Sequence, residues 1–548
     1  MEPDRETTAP AKRGRVVMLV DNGVIGDSRV QKAAGSAAAA GWEVTLLGIM
    51  GQSGPQQWRI GDAQVRLVKV ATRLTHPAQF RRAPLRRPLA YPPGRIAGVR
   101  IQQVKAWKAD LATRQAMLTV AQAAGASRGR VLAGRARLVL PRLTAKVIGR
   151  WAKFRAGELY RLQQQRGNPN SPLVKVPMRF WQKVLKERSW RKLDPGLWEF
   201  ELAFGKVIDE LKPDLIHAHD FRMIGVGARA ALRARANGRT VKFVYDAHEF
   251  LPGITGRPSD PRWLPAQVAY EKEFIGLADA VMTISPTLAE LLQRTHGLPE
   301  LPAVVLNAPS GRLTGEQEQA PVPDLRALCG IGADTPLLAY CGGINPVRGV
   351  DLIVEALPHL PGVHVALVSL HPNGKTKAAD ELQARAAELG VADRVHVLAY
   401  VPYWQVPRFL APADAAVSPL HHLANHEIAL SNKFFEYSQA RLPLVTSDVK
   451  TMAEVVRETG QGEVFRAKDL PDYVRAVQAV LADPQRYRAA YDKPGLLASW
   501  TWEAQAEVMD EVYRRLRPDL AGPDRPVRTP DDAVTAQART GTPAAAPA

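Results

Sequence analysis

Glu436 lies one turn inside a segment that reads as a short helix, opening on the cap formers Ser431 and Asn432 and running to Ala440 without Gly or Pro. A carboxylate there offers two acceptor oxygens to a pair of ribose hydroxyls, while the unpaired N–H groups of the helix start attract phosphate. Lys433 adds a cation at the same end. A second loop, Gly342-Gly-Ile-Asn-Pro-Val-Arg-Gly349, has the composition of a diphosphate cradle. Gly342 and Gly343 permit close backbone approach, and Arg348 supplies charge. A third group is His219, Asp220, His248 and Glu249, delivered in pairs by two successive apolar runs. The plainer alternatives are a solvated Glu436 on an ordinary amphipathic helix, an exposed Arg348 at a helix start, and structural histidines.

The elements that would position these residues alternate between strand and helix. Arg15-Val-Val-Met-Leu-Val20 is a strand, Asp21 to Ser28 a polar turn, Arg29 to Ala40 a helix, and Glu43 to Gly48 a second strand. Gly23 and Gly26 in the turn allow a ligand near the backbone, but the spacing is not Gly-x-Gly-x-x-Gly, so NAD is not expected. Asp27, Ser28 and Arg29 read equally well as a helix cap and a surface charge. Further strands are expected at 65–70, 213–220, 242–249, 280–284 and 303–307. After a Pro- and Gly-bearing stretch, 310–333, the pattern repeats, with strands at 336–341, 363–370, 395–399, 411–420, 442–446 and 464–466. In open parallel sheets, ligands sit beyond the carboxyl ends of strands, which is where all three groups fall.

The net charge of +19 is concentrated. Between His76 and Phe200 there are 27 Lys or Arg against five acidic residues, so the rest of the chain is slightly acidic. The same stretch holds Trp107, Trp151, Trp181, Trp190 and Trp198, with helical character at 101–123 and 145–165. Cations with interleaved indoles suit an anionic membrane surface. A solvated basic insertion and a nucleic-acid surface are the alternatives, and no nucleic-acid motif supports the latter. Two cysteines exclude a disulfide framework, and no signal peptide or spanning segment is recognisable, so a cytoplasmic location is expected.

The stretch SNKFFEYSQARLPLV (431–445) resembles the donor-binding segment of family 4 glycosyltransferases, Pro-Asn-Lys-x-Phe-Glu-Tyr followed by Leu-Pro-Val-Val. GDSRVQKAAGSAAAAGWEVTLLG (26–48), the His219-Asp220 and His248-Glu249 strand ends, and YCGGINPVRGVDLIVEAL (340–357) are similar to further segments of that family, in the family's order. The resemblance covers roughly 14–70 and 200–490. It implies an α/β GT-B fold, two doubly wound Rossmann-like domains facing across a cleft. It also implies a retaining, metal-independent transferase with no cofactor beyond its nucleotide-diphosphate sugar.

The residues it implies for the donor are Gly23, Gly342, Gly343, Arg348, Val401, Asn432, Lys433 and Glu436. Base contacts would come from the backbone near Val401. His219, Asp220, His248 and Glu427 are the candidates for catalysis. Three departures stand out: Gly343 replaces a family Arg, Ser431 a family Pro, and Ile428 the family's upstream Glu, with Glu427 one residue off. No Asp-x-Asp metal motif is expected to act.

The expected layout is a flexible 1–13, an N-terminal domain 14–308 with the insertion 76–200, a linker 309–335, a donor domain 336–495, a crossover helix 496–517 and a disordered 518–548. The expected acceptor is an envelope glycan or lipid-linked sugar at the inner membrane face. A 2-epimerase of the same fold and a non-catalytic basic membrane-binding protein are the competing functions.

Overall fold

The computed structural model describes residues 13–51, 56–71, 87–92, 94–167, 172–255, 260–313, 315–369, 371, 373–374 and 376–520. Most of the expected flexible N-terminus and the expected disordered tail from 521 onward lie outside these residues. The chain divides into two compact units, with breaks after Val70, Glu199, Gly256 and Ala269. The first unit holds both sheets. The second holds the basic insertion and residues 257–269, a piece expected in the N-terminal domain.

In the first unit, eight strands form one sheet: β1 (Arg15–Leu19), β2 (Glu43–Ile49), β3 (Gln57–Ile60), β4 (Ala63–Val68), β5 (Leu215–His219), β6 (Lys242–Ala247), β7 (Ala280–Thr283) and β8 (Ala303–Val304). Their order is β3-β4-β2-β1-β5-β6-β7-β8. All pairs are parallel except the β3–β4 hairpin, which turns at Gly61 with φ +54°. The sequence shows only one strand there, because β3 is a short, half-exposed edge with weak apolar content.

Six parallel strands form the second sheet, in the order β11-β10-β9-β12-β13-β14: β9 (Leu337–Cys341), β10 (His364–Val368), β11 (Val395–Leu398), β12 (Ala415–Ser418), β13 (Leu444–Ser447) and β14 (Gly462–Phe465). Along β9, Leu337, Ala339 and Cys341 join one core, while Leu338 and Tyr340 join the core on the other face. Both faces are covered, which is why these strands read as continuous apolar runs rather than alternating ones.

In each sheet the order reverses once, between β1 and β5 and between β9 and β12. The carboxyl-end loops diverge at such points and leave a crevice. The stretch expected as a linker is more structured than that. Asp324 caps the helix Leu325–Cys329, and Leu325 and Cys329 are buried in the second sheet's core. The helix Trp502–Leu516 packs back on the first sheet's domain. Trp502 Nε1 donates to Ser36 Oγ at 2.9 Å, and Asp510 accepts from Trp42 Nε1 at 2.7 Å and pairs with Arg13.

The second unit is helical. Helices Ile96–Ala123 and Arg128–Gly167 form a hairpin in which Leu111, Leu138 and Ala145 are buried together. Gly134 and Gly149 permit the close approach, since a Cβ there would meet Leu118 and Val104. The five tryptophans do not form one surface. Trp190 is fully buried and stacks obliquely with Trp198, with Arg191 over its ring, whereas Trp151 is exposed. No described helix is long and apolar enough to cross a membrane.

Candidate functional site

The helix Asn432–Gln439 begins in the second sheet's crevice, between β12 and β13, capped by Ser431. Its first turns bury Phe434, Phe435 and Tyr437, and Tyr437 ties the helix to β9 through its hydroxyl, which accepts from Cys341 N at 2.8 Å. That packing places Glu436 inside, only 6% exposed. Its Oε2 lies 3.3 Å from Lys433 Nζ but has no hydrogen-bond partner. Burial alone would lower the Lys433 ammonium; the Glu436 carboxylate outweighs it and holds it above its ordinary value.

On the opposite wall, the Tyr340 hydroxyl donates to Gly343 O at 2.8 Å and is within reach of Arg348. Burial pushes that phenol up to about 12. The positive charge of Arg348 is also felt at Lys433. A buried carboxylate with a spare oxygen, two cations and a helix start thus share one crevice. Val401 lies past the end of β11, its side chain in the core, leaving only its backbone for any base contact.

Gly349 closes the β9 loop at φ +65°, and a Cβ there would sit 2.0 Å from Pro419 O. Gly349→Ala is therefore expected to cost about 3 kcal/mol or more, from left-handed backbone strain plus the clash. A urea midpoint unchanged from wild type would contradict this.

In the first sheet's crevice, the histidines separate. Register pairs His219 with Asp246, so His219 ends inside the ladder and is completely buried. His219 was expected at the rim as a substrate-contacting residue; here its Nδ1 bonds Asp246 Oδ2 at 3.1 Å, and burial lowers its pKa. His248, one residue past β6, is partly exposed, its Nε2 2.9 Å from the same oxygen. Burial would lower the His248 pKa, but Asp246 wins and raises it.

Arg29, read as a possible surface charge, is buried. It grips Asp246 with two bonds, at 2.8 and 3.0 Å, and donates to Val305 O at 2.8 Å. Burial would raise the Asp246 carboxyl, yet Arg29 and His248 hold it well below the usual range. His217 lies beneath, its Nδ1 2.6 Å from the Tyr513 hydroxyl. His217, His219 and Asp246 are the one candidate metal-ligand set among the described residues, with ligand atoms within 4.8 Å of one another. Both carboxylate oxygens already serve a guanidinium, whose charge competes with a cation.

Asp220 holds an unusual backbone, φ +66° and ψ 160°, and accepts from Phe221 N at 2.7 Å as a helix cap. Burial pushes its carboxyl up to about 6. The folded state therefore keeps this proton to higher pH than the unfolded chain does. That contribution is full below about pH 4 and is lost as pH rises through about 6. Asp220→Asn keeps the cap acceptor without the charge. Its stability relative to wild type should grow from under about 1 kcal/mol at pH 4 to about 3 kcal/mol at pH 7, measured by urea denaturation across that range. A difference independent of pH would refute it.

Gly23 sits in a self-contained turn after β1, held by Asn22 Oδ1, which accepts from Val24 N at 2.8 Å. Glu427 is taken up by structure: it accepts from Lys450 N at 2.7 Å, at the start of the helix Lys450–Thr459, and bonds His422 Nδ1 at 2.5 Å. Both oxygens of this expected catalytic residue are thus engaged by neighbouring groups of the same domain. The short helix Ala424–Ile428 instead docks on the first domain. Asn425 Oδ1 accepts from Phe250 N at 2.9 Å, Ser285 Oγ donates to Ile428 O, and Thr287 and Thr451 hydroxyls are 2.8 Å apart.

Lys32, unnoticed in the sequence, is another link. Partly buried over the Trp502 ring, it donates to Ala308 O at 2.5 Å, and Glu436 is among the charges it feels. Desolvation lowers it to about 7. Arg29 and Asp246 had a legible signal, a polar residue on each of two buried elements, but no local pattern joins them.

Residues 166–308 match the family described as Glycosyltransferase Family 4, and residues 324–494 match Glycosyl transferases group 1, together more than half of the chain. The first match starts within the basic insertion and omits 14–70, although β1 and β2 lie at the middle of the sheet. The D-inositol 3-phosphate glycosyltransferase of Xylanimonas cellulosilytica is 26% identical over 310 residues, 55% of this chain and 71% of that protein. The GDP-mannose-dependent alpha-(1-6)-phosphatidylinositol monomannoside mannosyltransferase of Mycolicibacterium smegmatis is 29% identical over 205 residues, 35% of this chain and 52% of that protein.

Among solved structures, sucrose-phosphate synthase from Thermosynechococcus elongatus aligns over 92% of this chain and 100% of its own, with a TM-score of 0.57 and 15% identity. A glycosyltransferase from Rickettsia africae aligns over 92% and 99%, with a TM-score of 0.53 and 10% identity. At these identities the likeness is one of fold. On these matches, and on two doubly wound sheets whose crevices carry the motif residues, the chain belongs to the family 4 glycosyltransferases and has the GT-B fold.

Proposed function

We propose that this protein is a retaining, metal-independent glycosyltransferase of the hexosyltransferase type. It moves a sugar from a nucleoside-diphosphate sugar to an envelope glycan or a lipid-linked acceptor at the cytoplasmic membrane face. The observation that carries the donor half is Glu436, a buried carboxylate whose Oε2 is ion-paired with Lys433 at 3.3 Å yet accepts no hydrogen bond. An unsatisfied buried acceptor costs free energy that a ribose hydroxyl would recover.

Around it, the backbone N–H groups of Asn432 and Gly343 take the diphosphate, while the Gly342 N–H is held by Val368 O at 3.0 Å. Arg348 and Lys433 stabilise the charge that develops on it as the glycosidic bond to phosphate breaks, with no metal required. Attack from the side of the departing diphosphate retains configuration. His248, rather than His219, faces the sugar; Asp246 orients its ring and favours its protonated form. The two relatives are named for inositol 3-phosphate and for phosphatidylinositol monomannoside, which supports an anionic or lipid-bound acceptor here.

A thermal-shift screen of the full chain with UDP-, GDP- and ADP-sugars tests the donor half. At a hundredfold excess over Kd, stabilisation of about 2.7 kcal/mol is expected for the true donor. No shift with any of them would overturn the reading.

A further inference from the structure

The helix Arg128–Gly167 has two apolar faces, and the hairpin uses one. Val131, Leu138, Ala145, Ala152 and Leu159 are buried at seven-residue intervals. Around the other side, Leu132, Val139, Leu143, Val147, Trp151 and Phe154 recur at three- to seven-residue steps that keep them on one stripe. All are exposed, from 45% at Phe154 to 65% at Leu132. The Trp151 and Phe154 rings stack, centroids 5.6 Å apart, which makes one flat apolar end.

At 100° per residue, Arg128, Arg142, Lys146, Arg150 and Lys153 run along or beside one edge of the stripe, and Arg130 and Arg137 lie beyond the other. Glu158 is the helix's one acidic residue, and Arg87 and Arg161 already hold it. The stripe lies ahead of residue 166, outside both family matches.

We propose that this stripe is the face with which the protein lies on an anionic phospholipid surface. The helix would run in the plane of the interface, apolar side chains at the acyl boundary and cations among the headgroup phosphates. The inference deepens the membrane-face reading above and rests on it for purpose, though not for geometry. Charge selects this occupant. A second copy seated on the stripe would set arginine against arginine, with no acidic partner on the helix. A nucleic acid would neutralise the cations but leave six large apolar side chains uncovered.

Flotation of the full-length protein with phosphatidylcholine vesicles, and with vesicles containing phosphatidylglycerol, tests it. Binding is expected to the phosphatidylglycerol vesicles and not to phosphatidylcholine alone. It should weaken about tenfold or more both in Val147→Glu/Trp151→Glu and in Arg142→Glu/Lys146→Glu. These positions are exposed, so both variants should keep wild-type circular dichroism and the wild-type thermal response to the donor.

Wild type that stays with the unbound fraction, or an apolar-stripe variant that floats like wild type, overturns the proposal. So does a wild-type dimer, by light scattering, that the same variant turns into a monomer, which would assign the stripe to a second copy. Failure of every donor with vesicle binding intact would strike the donor reading and leave the docking face standing.

Discussion

Glu436→Ala is expected to reduce affinity for the donor nucleotide sugar at least a hundredfold and to cost the unliganded protein about 1–3 kcal/mol, because Lys433 is left without its counter-charge. The two halves of this expectation have one origin. In the folded chain, Oε2 of Glu436 is buried with the Lys433 ammonium 3.3 Å away and without a well-directed hydrogen bond, so its acceptor capacity is left for a ligand while its charge serves Lys433. Two ribose hydroxyls bonded to a carboxylate are worth about 1.5–3 kcal/mol each, and each 1.4 kcal/mol is about tenfold in affinity.

Lys433 is affected too, because the carboxylate that keeps its ammonium charged is gone. The variant should therefore lose affinity for the nucleoside diphosphate as well as for the sugar conjugate. Glu436→Gln, which keeps the shape and one good acceptor, should fall between. Isothermal titration with the donor found by thermal shift measures the loss, and urea denaturation measures stability. A large fall in stability with affinity intact would make Glu436 a structural residue.

Arg29→Met is expected to destabilise the protein by about 3–5 kcal/mol, the usual cost of leaving one member of a buried ion pair alone. Asp246 would keep only His219 and His248 as donors, and Val305 O would lose its partner. The pH dependence carries a sign. A carboxyl held below its ordinary value stabilises the fold above that value, and the contribution is lost only as pH falls through the lowered one. Without Arg29, burial moves Asp246 upward, so the deficit should be greatest near pH 7 and shrink below about pH 4.

Arg29→Met/Asp246→Asn should lose less than the sum of the single changes, because the charge that needs compensation is gone. Additive losses would show that Arg29 acts through packing alone. In the proposed reaction His248 ties this network to the sugar: its raised pKa depends on Asp246, and Arg29 acts there as a positioning residue through Asp246.

Much of the architecture is legible in the chain because its signals are local. The cap at Ser431, the glycine at 349, the apolar β9 and β12, and the helix Leu470–Ala482 follow from neighbouring residues and periodicity. The order of the motif segments likewise identified the fold, since each falls at the carboxyl end of a parallel strand.

Tertiary structure decided what depends on partners far along the chain. Arg29 and Asp246 are 217 residues apart, and nothing near either one distinguishes a buried ion pair from a surface charge. His219 and His248 occupy equivalent-looking strand ends, yet the β5–β6 register sinks the first and leaves the second at the rim. Glu427 reads locally as a displaced sugar-side carboxylate, and only the fold shows that it also caps the helix Lys450–Thr459. Charge content marks out the insertion, but only its packing separates Trp190, in the interior against Trp198, from Trp151 on an exposed stripe. Composition and spacing set which local elements can form; which of two apolar faces is buried, and which charge finds a partner, is settled by what packs against them.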